Sequence, residues 1–203
     1  MFLLVGTGKK TRKKSSSLAQ IMAVISVMGA LYFVMSLLTI RAGNIRISFA
    51  SLVTVVMAYL CGPTMAAISV FIGEFLGQLL NYGIGVTTVL WIIPPVLRAV
   101  LVGNLYWLFR KRTINGFNEI GFYHFLLVNS MSSIIVTMVN TGVMALDAII
   151  LGYYTKAYVF AAFFVRLGLG IVTAIVVSII AFPIINGVRG VCKWEFTEKL
   201  IDL

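Results

Sequence analysis

The chain has 203 residues, of which 61% are hydrophobic and 11% charged, with 16 Lys and Arg against 6 Asp and Glu for a net charge of +10. A soluble domain carries about 25% charged residues, so this balance excludes an ordinary globular domain and suits lipid. The basic excess does not mark a nucleic-acid binder either, because the cations cluster at the ends of apolar runs instead of along one polar face.

The first element follows a basic leader. Lys9 to Lys14 and the apolar stretch Leu18 to Ile40 resemble a secretory signal in outline. The stretch is about twice the length of a signal's apolar region, however, and it ends at Thr39-Ile40-Arg41 without a small-residue cleavage pattern. It reads as a retained first membrane helix, 18–40. Its small residues Ser26 and Ala30, four apart, share one face, and small-xxx-small faces let another helix approach closely in lipid.

Further helices are expected at 49–61, 64–82, 88–109, 122–151 and 158–188. The second is short. Gly62-Pro63 interrupts an apolar run that would otherwise join it to the third, since proline lacks a backbone donor and restricts the residue before it. Asn81 to Gly85 and Gly152 to Lys156 read as loops. Pro94-Pro95 falls inside the fourth helix, where a kink is tolerated in a membrane if neighbours satisfy the freed carbonyls. The longest runs reach or exceed the roughly 20 residues needed to cross a hydrocarbon core of about 30 Å.

On this map Lys9, Lys10, Arg12, Lys13, Lys14, Arg110, Lys111, Arg112, Arg189, Lys193 and Lys199 fall on one side, and Arg41, Arg46 and Lys156 on the other. Eleven against three is a positive-inside bias. The expected fold class is therefore an all-α integral membrane protein of the cell membrane, with six transmembrane helices and both termini cytoplasmic. It divides into a basic leader at 1–17, a membrane domain at 18–188 and a tail at 189–203.

Arg98, Arg166, Glu74, Asp147, Gln78 and Asn140 fall inside the expected spans. A charge at the bilayer centre costs at least about 2.5 kcal/mol, so these side chains should face the bundle interior, either in pairs or lining a wet cavity. Counted from the external helix ends, Glu74 and Arg166 are about eight residues deep, Arg98 about ten and Asp147 about four, at about 1.5 Å per residue. All lie in the outer half. With Arg46, Asn81, Trp91, Lys156 and Tyr158 they outline an extracytoplasmic pocket, over a cytoplasmic half that reads as almost purely aliphatic. Glu74 with Arg98, or Asp147 with Arg166, could instead be structural ion pairs. Cations outnumber anions in the cluster, which suits a ligand bearing a carboxylate held bidentately by Arg98 or Arg166, with Arg46 on a lid.

Catalytic signatures such as HExxH, GxSxG or paired carboxylates are missing from the sequence, as is a Walker motif. His124 opens an apolar run and reads as an interfacial histidine, while Cys61 and Cys192 have neither the spacing nor the company of a metal or disulfide site. The chain is not expected to be an enzyme or to carry a cofactor or metal.

The segment Asn44 to Gly83, NIRISFASLVTVVMAYLCGPTMAAISVFIGEFLGQLLNYG, resembles the substrate-binding S-components of energy-coupling factor (ECF) vitamin transporters. The carrying features are Arg46 to Phe49 after a polar loop, the Gly62-Pro63 turn, Glu74 in a glycine-containing helix and the glycine-rich loop that follows. The resemblance implies six helices and a vitamin pocket near the outer face, covered by the first loop. It also implies docking through helix one onto a membrane scaffold subunit with two ATPase subunits, which use the ATP. The family's Ala-xxx-Ala docking signature has its nearest match in Ser26-xxx-Ala30. The pattern is closest to the folate-type subgroup. Pantothenate or folate suits the cationic surplus, while pyridoxine-like or pyrimidine ligands would stack on Trp91, Tyr82 or Tyr158. An intramembrane enzyme or a small autonomous channel is the alternative.

Overall fold

The computed structural model describes residues 8–42, 45–112, 121–155, 159–161 and 163–191, with backbone alone at 8–17, 39–42, 45–48, 110–112 and 189–191. Lys156, Tyr158 and Cys192 lie outside the described residues, and so does the side chain of Arg46.

Six helices account for nearly all of the described chain: α1 (Gly8–Leu37), α2 (Ala50–Cys61), α3 (Pro63–Tyr82), α4 (Thr88–Arg112), α5 (Phe122–Ile150) and α6 (Phe163–Val191). Five of them are long and apolar enough to cross a membrane, over Leu18–Leu37, Pro63–Tyr82, Thr88–Phe109, Phe122–Ile150 and Phe163–Val188. The sixth, α2, has twelve residues and rises only about 18 Å. It is enclosed by α1, α3, α4 and α6, and seven of its residues are buried. Val55, Met57, Ala58 and Tyr59 form the centre of the core. A helix so enclosed satisfies its own backbone and need not match the bilayer thickness.

The boundaries differ from expectation in three places. The backbone of α1 is already helical at Gly8, ten residues before the span, with Lys9, Lys10, Arg12, Lys13 and Lys14 as the good helix formers of the leader. At its other end α1 stops at Leu37. The chain between α1 and α2 is a hairpin of β1 (Thr39–Ala42) and β2 (Ile45–Ser48), where a polar loop was expected. Thr39-Ile40-Arg41 and Ile45-Arg46-Ile47 alternate with the period of two that suits strands, and the register places Arg41 opposite Arg46. Finally, α6 begins at Phe163, because Val159 N–H bonds the Thr155 carbonyl (3.2 Å) in a separate turn before it. Arg166 therefore sits about three residues, not eight, from the start of its helix.

Close approaches set the packing. Gly62, at φ 86°, turns the chain from α2 into α3 with Pro63 at the first helical turn. That turn presses on α4: a Cβ at Gly103 would lie 2.7 Å from Pro63 Cα. On the other flank, a Cβ at Gly73 would lie 2.6 Å from Tyr32 Cδ1 and 2.7 Å from the Gly29 carbonyl, so α1 and α3 touch backbone to backbone. Ser69 Oγ adds a hydrogen bond from α3 to the Ile25 carbonyl of α1 (3.2 Å). Between α5 and α6, Ser133 Oγ donates to the Gly170 carbonyl (2.8 Å).

Candidate functional site

The hairpin, the loop 83–87 and the connection that begins at Leu151 all lie at one end of the bundle, and the Gly62-Pro63 turn lies at the other. Measured from the hairpin end, at about 1.5 Å per residue, the polar residues form two tiers. Glu74, Arg98 and Asn140 are eight, ten and ten residues deep, hence about 12 to 15 Å. Gln78, Trp91, Asp147 and Arg166 are three or four residues deep, about 5 to 6 Å.

Glu74 joins α3 to α1. Its Oε2 accepts from Tyr32 Oη (2.8 Å) and its Oε1 from Gln78 Nε2 (2.7 Å), one turn farther along the same helix. Tyr32 is 3% exposed. Asp147 joins α5 to α4 and to the connection beyond α5, and is itself buried. It accepts from Trp91 Nε1 (3.3 Å), from Tyr153 Oη (2.6 Å) and from the Thr87 hydroxyl. Asn81 turns back on its own helix, donating to the Gly77 carbonyl (2.7 Å). Asn140 is half-buried on α5.

The two arginines behave differently from the carboxylates. Nε and Nη2 of Arg98 are buried and find no acceptor among the described residues, and the same holds for Nη1 of Arg166. Tyr32 is the electrostatic neighbour of Arg98. Each carboxylate is held by neutral donors, and among the described residues neither the Glu74–Arg98 nor the Asp147–Arg166 ion pair forms. The guanidiniums are thus left with donor capacity in a low-dielectric setting, where an unmet hydrogen bond costs most. Pro94 and Pro95 lie one turn before Arg98 in α4 and remove the backbone donors that would reach the Leu90 and Trp91 carbonyls.

Sequence reasoning missed Tyr32, Thr87 and Tyr153. Tyr32 lies inside an apolar run in which nothing but its own hydroxyl signals a polar role, and Tyr153 was read only as part of a loop.

The opposite end of the bundle corrects the expectation of an aliphatic half. Tyr59, Tyr106 and Phe125 gather there, with ring centroids 4.4 and 4.5 Å from Tyr59, and Phe182 packs on Phe125 at 5.7 Å. Asn129 is fully buried beside them in sequence and donates from Nδ2 to Ser178 Oγ (2.9 Å). Ser26 and Ala30 are exposed on α1, on the side away from Tyr32 and beside Met22 and Val27, which are 68% and 66% exposed.

The family described as "ECF-type riboflavin transporter, S component" matches this chain over residues 16–189. No curated protein matches it.

Proposed function

The chain belongs to the ECF-type riboflavin transporter S-component family. On that premise we propose that it is the substrate-binding subunit of an ECF transporter, capturing a water-soluble vitamin at the hairpin end of the bundle, which the charge bias places outside the cell. The observation that carries this reading is the pair of guanidiniums with unmet donors, Arg98 deep on α4 and Arg166 shallow on α6, two helices that both pack on α5. A ligand with acceptors at both depths satisfies them. Riboflavin comes first, because the matched family's description names it and its ring carbonyls and ribityl hydroxyls are spread along an elongated molecule. A carboxylate-bearing vitamin, pantothenate or folate, is the second reading, favoured by the same guanidiniums.

In this reading Glu74, Gln78, Asn140 and Asp147 shape the cavity with Arg98 and Arg166, Trp91 and Asn81 line its mouth, and Arg46 belongs to the closing hairpin. The subunit binds without catalysing a reaction. It docks through the exposed Ser26 and Ala30 face of α1 on a scaffold subunit, and two ATPase subunits of the complex use the ATP. A thermal-shift screen of the purified protein against riboflavin, pantothenate, folate and pyridoxine tests it. A stabilisation that saturates with one of these vitamins is expected, and no response to any of them would overturn the proposal.

A further inference from the structure

Among the described residues, the side chain of Tyr32 ties the polar cluster at the hairpin end to α1. Tyr32 Oη donates to Glu74 Oε2 at 2.8 Å, and Gln78 occupies the other carboxylate oxygen at 2.7 Å. The tyrosine is 3% exposed, and its ring lies over Gly73, where even a methyl group would meet Cδ1 at 2.6 Å. Ser69 fixes the same pair of helices two turns away through Ile25. Small movements of Glu74 therefore have little slack to be lost in.

The other side of α1 is the exposed one. Ser26 and Ala30 stand six and two residues before Tyr32, which on a helix of about 3.6 residues per turn places them roughly opposite it. A single helix thus presents Tyr32 to the polar cluster and Ser26 with Ala30 to whatever lies outside. Packed helices move as units and do not deform continuously, so a shift of the Tyr32 side is a shift of the exposed side.

We infer that Tyr32 is a positioning residue that couples the vitamin site to the docking face of α1, through its hydrogen bond to Glu74. The inference rests on the proposed function above. A ligand that engages Arg98 and Glu74 changes the pull on Tyr32 and, through it, the placement of Ser26 and Ala30. Coupling of this kind is reciprocal: if the vitamin alters affinity for the scaffold, the scaffold alters affinity for the vitamin by the same factor.

Tyr32→Phe tests this, since it removes the hydroxyl and keeps the ring that packs on Gly73. The full subunit, wild type and variant, is placed in nanodiscs, and its affinity for the scaffold–ATPase complex is measured with and without riboflavin, with folate and pantothenate run in parallel. For wild type, vitamin is expected to change that affinity at least about tenfold, within the usual range of coupling. In Tyr32→Phe the change should fall below about threefold, while vitamin affinity of the isolated subunit stays within about tenfold of wild type, because Gln78 still holds the Glu74 carboxylate when the hydroxyl is lost. Tyr32→Phe protein that retains the full coupling overturns the inference, even if its melting temperature is lower. Wild-type protein that binds vitamin but shows no coupling overturns it too. Wild-type protein that binds none of the three vitamins removes the proposed function, and the inference with it.

Discussion

The two ends of the bundle differ in the kind of polar group they bury. At the Gly62-Pro63 end, aromatic rings close on one another and Asn129 Nδ2 donates to Ser178 Oγ across α5 and α6, so that among the described residues the neutral acceptor Asn129 Oδ1 is left without a partner but no charged group is. At the hairpin end, the carboxylates are held by Tyr32, Gln78, Trp91 and Tyr153, whereas the guanidiniums of Arg98 and Arg166 keep donors unused. Packed rings supply stability, and unmet charged donors are what a site for a polar ligand requires. Mutations at the two ends should therefore separate folding from binding.

The largest effect is expected at the Gly62-Pro63 end. Phe125 is 1% exposed and touches Tyr59 and Phe182, so Phe125→Ala should cost about 3 to 5 kcal/mol of stability. The check is denaturant or thermal unfolding of the purified protein. The fraction that remains folded should bind vitamin with wild-type affinity, and a selective loss of affinity would break the division between the two ends.

Next in size is Arg98→Ala. With no ion pair to lose among the described residues, the variant should melt at or above the wild-type temperature without ligand. Its vitamin affinity, measured by titration, should drop by about 2 to 5 kcal/mol, more than tenfold. A variant that melts far below wild type before any vitamin is added would return Arg98 to a structural role.

Gly103→Val tests how α4 closes on the turn at the Gly62-Pro63 end. Its new side chain meets the Pro63 backbone, and overpacking of this kind should cost about 1 to 3 kcal/mol in thermal unfolding. Wild-type stability in this variant would mean that the turn yields more easily than its contacts indicate. The smallest effect is expected for Thr141→Val. Thr141 Oγ1 donates to the Thr137 carbonyl of its own helix at 2.9 Å, so its loss should cost under about 1 kcal/mol and leave vitamin titrations unchanged. A marked fall in affinity would place Thr141 itself in contact with the ligand.

The helices were legible in the sequence because lipid imposes length and apolarity on each one, and the Gly62-Pro63 break placed the α2–α3 turn correctly. The hairpin was not, since Arg41 to Arg46 reads as polar loop unless the alternation of Thr39 to Ser48 is weighed against it. Arg98 and Arg166 were found because a buried charge in a membrane is conspicuous on its own. Their relation to Glu74 and Asp147 was not, because opposite charges at similar depth suggest ion pairs, and only three-dimensional placement shows neutral donors taking the carboxylates instead. Tyr32 stayed hidden for the same reason: its significance lies in Glu74, forty-two positions away.

The shortness of α2 also bears on how the molecule is made. A twelve-residue segment is too short to be held across a bilayer by itself as it leaves the ribosome, yet Pro63 follows it almost at once. During synthesis α2 and α3 should therefore enter lipid together, as one helical hairpin turning at Gly62. That hairpin finds its final seat only when Gly103 of α4 arrives to receive the turn. Insertion of the fourth helix is then the step that commits the second, and a nascent chain halted before Gly103 should leave α2 open to extraction or proteolysis.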